Sequence, residues 1–393
     1  MTRLSEDAIL GLMAKFRADP SPLKVDLGVG VFRDADGNTP VLDCVRRAER
    51  SVLAAQTTKS YVAPAGRAEF NDAVTEFVLG AAHPAVRDRR AVTVQAPGGC
   101  GALRVGAELV RAAAPGVAVH VSDPTWGNHV PLLGSSGLRL VRYPYYDAAA
   151  HRLRLDAMLE HLSAAPAGDV VLIHACCHNP SGADLPADAW RSVVEILQRR
   201  RLVPYLDLAY QGFGEDADAD AAGVRLVAEN VPECLIATSF SKNLGLYRER
   251  VGALIVVGSD ENRTATVKSH VLQIARSIYS MPPDHGAAIA AHIFATPELR
   301  ELWMRELAAM RTRIREMRVL LADNLRRLRG DDGFGFLRDQ RGMFSLLGAS
   351  AQTVDRLREE HHVYMTADSR MNLAGVIPQN VAYLADAICR VMD

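Results

Sequence analysis

An α/β fold with a largely parallel sheet and a second, smaller domain is the fold class this sequence predicts. Three observations predict it. Between about residues 90 and 260, short β-rich runs alternate with helical stretches. Several of those runs are apolar throughout, as strands covered on both faces must be. Polar residues collect where the runs end, which is where ligands of such sheets bind.

The first run is AVTVQAP (91–97), followed by the glycine turn of PGGCGALRVGAEL and a helix over 101–114. VAVHVSDP (117–124) and VVLIHACC (170–177) come next, then a helix over 188–200. LVPYLDLAY (202–210), CLIATSF (234–240) and GALIVVG (252–258) complete the set. Beyond 260 the pattern changes. Thr296-Pro297-Glu298 supplies a capping hydroxyl, a first-turn proline and an acid near the dipole's positive end. Leu307, Met310, Ile314, Met317 and Leu321 then recur at helical spacing, one apolar stripe that reads as core packing. The C-terminal part offers a strand over GMFSLLG (342–348) and a closing helix over 380–392. The opening MTRLSEDAILGLMAKF reads as an arm or short helix, and GEDADADAA (214–222) as a solvated loop. The expected division is an arm with part of the small domain over 1–35, a large domain over 36–295 and a small domain over 296–393.

Composition narrows the function. With 393 residues the chain can bury a sizeable core, and 49% hydrophobic against 23% charged residues fits a globular protein. Its 45 basic and 46 acidic residues nearly cancel, so no long-range field favours nucleic acid or an anionic membrane. No segment approaches a bilayer span. Small-molecule partners are expected. The six cysteines are scattered without a CxxC pair, which argues against zinc; a reducing cytoplasm is the expected home.

The glycine turn brings bare backbone to a helix start, where N–H groups can approach an anion. It is neither a Walker loop nor a GxGxxG motif, so the signal alone is weak. Three further polar elements end apolar runs: HNPSG (178–182), DLAY (207–210) and SFSK (239–242). Taken alone, Asp207 reads as a helix cap or an acceptor of local backbone bonds rather than as the partner of a cationic ring nitrogen. Taken together, these elements supply what pyridoxal phosphate requires: an amine, a carboxylate for the ring nitrogen, donors to the phenolate oxygen and an anion cradle. Lys242, Asp207, Asn179 with Tyr210, and the set Gly99, Ser239, Ser241 and Arg250 fill those roles.

SFSKNLGLYRERVGAL, CCHNPSG, DLAYQGFG and YSMPPDHGA together resemble the class I, fold-type I pyridoxal phosphate aminotransferases, in particular the aspartate and aromatic aminotransferase group. The resemblance runs from VDLGVGVFRD (25–34) to SRMNLAG (369–375). It implies a mostly parallel seven-stranded sheet flanked by helices, a smaller α+β domain, and a homodimer with shared active sites. By that likeness Lys242 is the amine that bonds to the cofactor and later moves the Cα proton. Asp207 partners the pyridine nitrogen, Asn179 and Tyr210 donate to the phenolate oxygen, and Trp126 stacks on the ring. Gly99, Cys100, Ser239, Ser241 and Arg250 cradle the phosphate, with Tyr61 arriving from the second subunit. Gly30 and Asn179 flank the substrate carboxylate, and Arg370 grips it with two bonds. Arg276 crosses from the neighbour to meet a side-chain carboxylate, although a helix arginine also serves readily as a subunit salt bridge. The implied reaction moves an amino group between an acidic or aromatic amino acid and a 2-oxo acid, 2-oxoglutarate being the usual acceptor. The alternative is elimination, replacement or carbon–carbon bond formation on the same scaffold. Cys100, where a hydroxyl is usual, Leu244, where phenylalanine is commoner, and Ser369, where glycine is usual, depart from the pattern. His129, His174 and His178 lack metal-ligand spacing and read as hydrogen-bonded cleft residues.

Overall fold

The computed structural model describes residues 8–392. Seven strands form the central sheet: β1 (Ala91–Pro97), β2 (Ala118–Asp123), β3 (Arg139–Pro144), β4 (Val170–His174), β5 (Val203–Leu208), β6 (Cys234–Ser239) and β7 (Val251–Val257). Their spatial order is β1-β7-β6-β5-β4-β2-β3. The pairs β6-β5, β5-β4, β4-β2 and β2-β3 are parallel, whereas β7 runs antiparallel to both β1 and β6. Every residue of β4, β6 and β7 is buried, which explains why they are apolar apart from the polar ends of β4 and β6. β3 is absent from the runs read in the sequence. It is an edge strand, RLVRYP, that exposes Arg139 and Arg142, and charge on an edge discourages pairing with another chain.

The sheet's two faces bury separate cores. Val171 and Ile173 of β4 join one cluster while Val170 and Leu172 join the other, the alternation that a pleated strand imposes. Each such side chain contributes about 1.5–3 kcal/mol on burial. The register places His174 beside Asp207, and Asp207 beside Ala237, two residues before Ser239. Chemistry therefore gathers at one end of neighbouring strands.

Helix α1 (Gly98–Ala113) begins within the glycine turn, three residues earlier than the sequence suggests. Helix α2 (Glu261–Ile278) follows β7, and α3 (Pro297–Arg329) is the long C-terminal helix. Leu307, Met310, Ile314, Met317 and Leu321 are all buried along α3. Pro297 and Glu298 occupy its first turn as expected, but the Thr296 hydroxyl caps no backbone N–H. Trp303 of α3 is fully buried and donates its indole N–H to Asn243 O at 2.7 Å, anchoring the turn beside Lys242.

Two short sheets join distant parts of the chain. Val25–Asp26 pairs parallel with Val363–Tyr364, and Phe344–Leu346 pairs antiparallel with Arg370–Asn372. The strand expected over 342–348 is thus only three residues long. The closing helix spans Val381–Val391, and a helix at Ala8–Ala18 lies within the expected arm, whose residues 1–7 fall outside the described residues. The acidic residues of the tract are exposed, with one exception. Asp220 is buried, and its carboxylate accepts N–H bonds from Gly212, Gly214 and Glu215 at 2.8–2.9 Å, so it is a loop clamp rather than a solvated charge.

Candidate active site

A cavity of about 270 Å³ opens at the carboxyl ends of the central strands. Lys242, Asp207, Tyr210, Asn179, Trp126, Gly99, Cys100, Ser239, Ser241, Arg250, Gly30 and Arg370 all line it. Tyr61 and Arg276 do not. Tyr61 is 91% exposed, and Arg276 is exposed on α2, donating to Ser280 Oγ at 2.6 Å.

Asp207 ends β5 and is buried. Its Oδ2 lies 3.0 Å from His129 Nε2, and His129 Nδ1 lies 2.8 Å from Thr125 Oγ1. Burial pushes the Asp207 carboxyl up, but the His129 hydrogen bond and the nearby Lys242 ammonium outweigh it, and the group sits below its ordinary value. His174 is driven down to about 3, first by burial and then by the neighbouring His129, so it stays neutral. Its Nε2 is buried with no partner among the described residues. Far apart in sequence, His129, His174 and Asp207 bring their ligand atoms within 4.8 Å of one another, a cluster that spacing along the chain conceals.

Lys242 follows the strand end of β6 and is half-buried. Among the described residues its Nζ has no hydrogen bond or ion pair, and it stands 4.9 Å over the Tyr210 ring. Removal from water lowers its affinity for a proton and Arg250 adds to this, against the opposing pull of Asp207 and Cys100. Burial holds the Tyr210 hydroxyl far above its ordinary value, which keeps it a donor.

The anion cradle is built from the start of α1 and the end of β6. Gly98 has φ +70°, and a Cβ there would meet Arg250 Nη2 at 2.5 Å; on Gly99 it would lie 3.3 Å from Ser239 Cβ. Side chains at either position would intrude on the guanidinium and hydroxyls that face the cavity. Ser239 Oγ donates to Ser241 Oγ at 3.1 Å, and Asn128 Nδ2 approaches Cys100 Sγ at 3.7 Å. Opposite, Arg370 donates to Asn179 Oδ1 at 3.2 Å and Gly28 O at 3.0 Å and lies 4.5 Å over the Phe344 ring. An arginine only donates, so Asn179 turns its carbonyl to it and keeps its amide N–H groups for the cavity. Arg370 Nε is buried without a partner among the described residues. An unpaired amine, an unpaired guanidinium nitrogen, a charged carboxylate and a glycine-lined anion site are the donor set that pyridoxal phosphate and a carboxylate substrate require.

His174, read in the sequence as a hydrogen-bonded cleft residue, lines the cavity, and Tyr247 and Phe344 line it without having been assigned a place there. His174 ends an apolar run, and Tyr247 lies five residues beyond Lys242. Those positions were the available signals.

A sheet of this order with lysine, carboxylate and anion cradle at its strand ends defines the fold-type I pyridoxal phosphate enzymes. The chain matches the family described as aminotransferase class I and II over residues 22–388. It is 46% identical to the aromatic-amino-acid aminotransferase of Paracoccus denitrificans, over 98% of this chain and 97% of that one. It is 42% identical to the aspartate aminotransferase of Escherichia coli strain K12, over 100% of this chain and 99% of that one. The crystal structure of aromatic-amino-acid aminotransferase from Burkholderia pseudomallei covalently bound to pyridoxal phosphate matches with TM-score 0.97 and 44% identity, covering 100% of this chain and 98% of that one. The chain belongs to the class I and II aminotransferases, whose chemistry is pyridoxal-phosphate-dependent transfer of amino groups. Elimination or carbon–carbon bond formation is not favoured by these relatives. No described helix is long and apolar enough to cross a membrane.

Proposed function

We propose that the protein moves an amino group between an aromatic or acidic L-amino acid and a 2-oxo acid, with 2-oxoglutarate as acceptor, in two half-reactions. The observation that carries this is the convergence of Lys242, Asp207, the glycine-lined cradle and Arg370 on one cavity. Pyridoxal phosphate, when bound, supplies an aldehyde that condenses with amines and a ring that accepts the electron pair left at Cα.

The residues of the chain then divide the work. Arg250, Ser239, Ser241, Cys100 and the N–H groups at the start of α1 hold the phosphate. The Cys100 thiol is a poorer donor than a hydroxyl, so backbone and guanidinium carry more of that load. Asp207, kept charged by His129, holds a proton on the pyridine nitrogen. Tyr210 and Asn179 donate to the phenolate oxygen, and Trp126 covers the ring. Arg370 binds the substrate carboxylate with Gly30 and Asn179 beside it, which fixes Cα within reach of Lys242. In its neutral form the Lys242 amine takes the proton from Cα and returns it on the other side of the exchange. Its depressed affinity for a proton makes that form accessible closer to neutrality than the ordinary value of about 10.4 allows.

The proposed assembly is a homodimer in which each subunit lends Tyr61 to its partner's phosphate and Arg276 to its partner's side-chain carboxylate. Their exposure and their absence from the lining of the chain's own cavity support this reading. The proposed division into 1–35, 36–295 and 296–393 is supported by the small sheets that join residues 25–26 to 363–364 and 344–346 to 370–372. Buried thiols at Cys44, Cys176, Cys177 and Cys234 suit a reducing cytoplasm.

A donor screen tests the function. Purified holoenzyme is mixed with phenylalanine, tyrosine, tryptophan, aspartate or glutamate, without acceptor, and the cofactor's visible absorbance is followed. Aromatic and acidic donors should discharge it, and 2-oxoglutarate should restore it. A spectrum that none of the five donors changes rejects the proposal.

A further inference from the structure

Tyr247 touches both anion-holding ends of the cavity, through two different parts of one residue. Its backbone carbonyl accepts a hydrogen bond from Arg250 Nη1 at 3.1 Å, on the phosphate side. Its hydroxyl accepts the Phe32 N–H at 2.9 Å, from a partner 215 residues away in sequence. Phe32 closes the segment Gly28–Phe32, whose Gly30 lines the cavity and whose Gly28 O accepts from Arg370. Asn372 holds the same segment by donating to Val29 O and to Val31 O at 2.6 and 2.9 Å. Arg370 and Asn372 both lie on one short C-terminal strand. Among the described residues, Tyr247 is the only side chain of the Lys242–Arg250 turn that hydrogen-bonds this segment.

We propose that Tyr247 is a positioning residue for substrate: its hydroxyl ties the carboxylate-binding segment Gly28–Phe32 to the turn that carries Lys242 and Arg250. The tie sets the spacing between the group that grips the substrate carboxylate and the amine that must reach Cα. The cofactor's phosphate is held through the carbonyl instead, and so is independent of the hydroxyl. Burial pushes the phenol up to about 12, so the oxygen remains a neutral acceptor over the working range. This inference rests on the transaminase reading above.

Tyr247→Phe removes one oxygen and leaves the ring and the carbonyl in place. Three quantities are measured on the holoenzyme: KM and kcat for an amino donor, the dissociation constant of 3-phenylpropionate, and the dissociation constant of pyridoxal phosphate. 3-Phenylpropionate has the carboxylate and ring of a substrate but no amine to react. Loss of one neutral hydrogen bond is worth roughly a three- to tenfold weakening. KM and the 3-phenylpropionate constant should rise by about that factor and kcat/KM should fall by at least as much, with the cofactor constant within about twofold of the wild type. An unchanged 3-phenylpropionate constant overturns the proposal. So does an equal weakening of cofactor and acid, which is what general loosening of the fold would produce. Wild-type protein that turns over no donor is a different result: it rejects the transaminase reading, whereas an active wild type with an indifferent Tyr247→Phe variant rejects only this inference.

Discussion

His129 Nε2 lies 3.0 Å from Asp207 Oδ2 with both side chains buried, and Thr125 Oγ1 lies 2.8 Å from the other ring nitrogen. An imidazole that accepts from the Thr125 hydroxyl at Nδ1 carries its proton on Nε2, where it faces the carboxylate. A buried carboxylate without such a donor would take up a proton itself. In the proposed reaction the imidazole thereby preserves the negative charge that Asp207 offers to the cofactor's ring nitrogen.

His129→Ala should raise the Asp207 carboxyl, because burial then acts against less opposition. The acid limb of the pH–rate profile should move to higher pH. A hydrogen bond to a charged group contributes about 1.5–3 kcal/mol, so kcat near neutrality should fall roughly 10- to 100-fold. An acid limb that stays in place in this variant removes His129 from the role given to it.

Lys242→Ala should lower kcat by at least about 10²–10⁴-fold, the range for a positioned general base. Cofactor should still bind, since Arg250 and the glycine cradle remain, but borohydride should no longer fix it to the protein. In the wild type, activity should rise with pH as the amine loses its proton. Burial lowers that transition and Arg250 assists it. Arg250→Ala should therefore shift the limb upward while weakening cofactor binding. Turnover at the wild-type rate by Lys242→Ala would show that another group moves the proton.

Arg276→Ala separates substrates by charge. Removing one partner of a close ion pair costs about 2–5 kcal/mol. Catalytic efficiency with aspartate should fall roughly 30-fold or more, while that with phenylalanine should hold within about threefold. Equal losses for both would assign Arg276 to the subunit contact alone, where its exposed position on α2 equally allows it to serve.

The parts of this molecule that were legible in the sequence share a cause. β4, β6 and β7 are buried on both faces and so are apolar up to the polar residues that end β4 and β6, His174 and Ser239, which line the cavity. β3 was hidden because an edge strand carries Arg139 and Arg142 among its apolar residues. Asp220 looked like one more solvated acid of its tract because its three backbone donors come from the loop's own fold. The His129–Asp207 bond spans 78 residues and the Tyr247–Phe32 bond 215, so neither has a local signature. Thr296 shows the reverse error. It has the residue type of a cap at the start of α3, yet its hydroxyl faces no orphan N–H.

Ser369 holds φ at +62° in a fully enclosed site just before Arg370, in a conformation that costs an L residue about 1–2 kcal/mol. Its Oγ accepts the Gly348 N–H at 3.1 Å, and its carbonyl accepts the Leu347 N–H at 2.9 Å. Ser369→Gly removes the strain but loses the side-chain bond, worth about 1 kcal/mol, and adds about 0.5–1 kcal/mol of unfolded-chain entropy. These effects nearly cancel, so the melting temperature should stay within about 4 °C of the wild type. Ser369→Ala keeps the strain and loses the bond, leaving the Gly348 N–H without its acceptor. It should be less stable than the wild type by about 1 kcal/mol and less stable than the glycine variant by up to about 1.5 kcal/mol. Calorimetry of both variants beside the wild type decides the matter: if alanine is tolerated as well as serine, the hydroxyl does not compensate for the left-handed backbone.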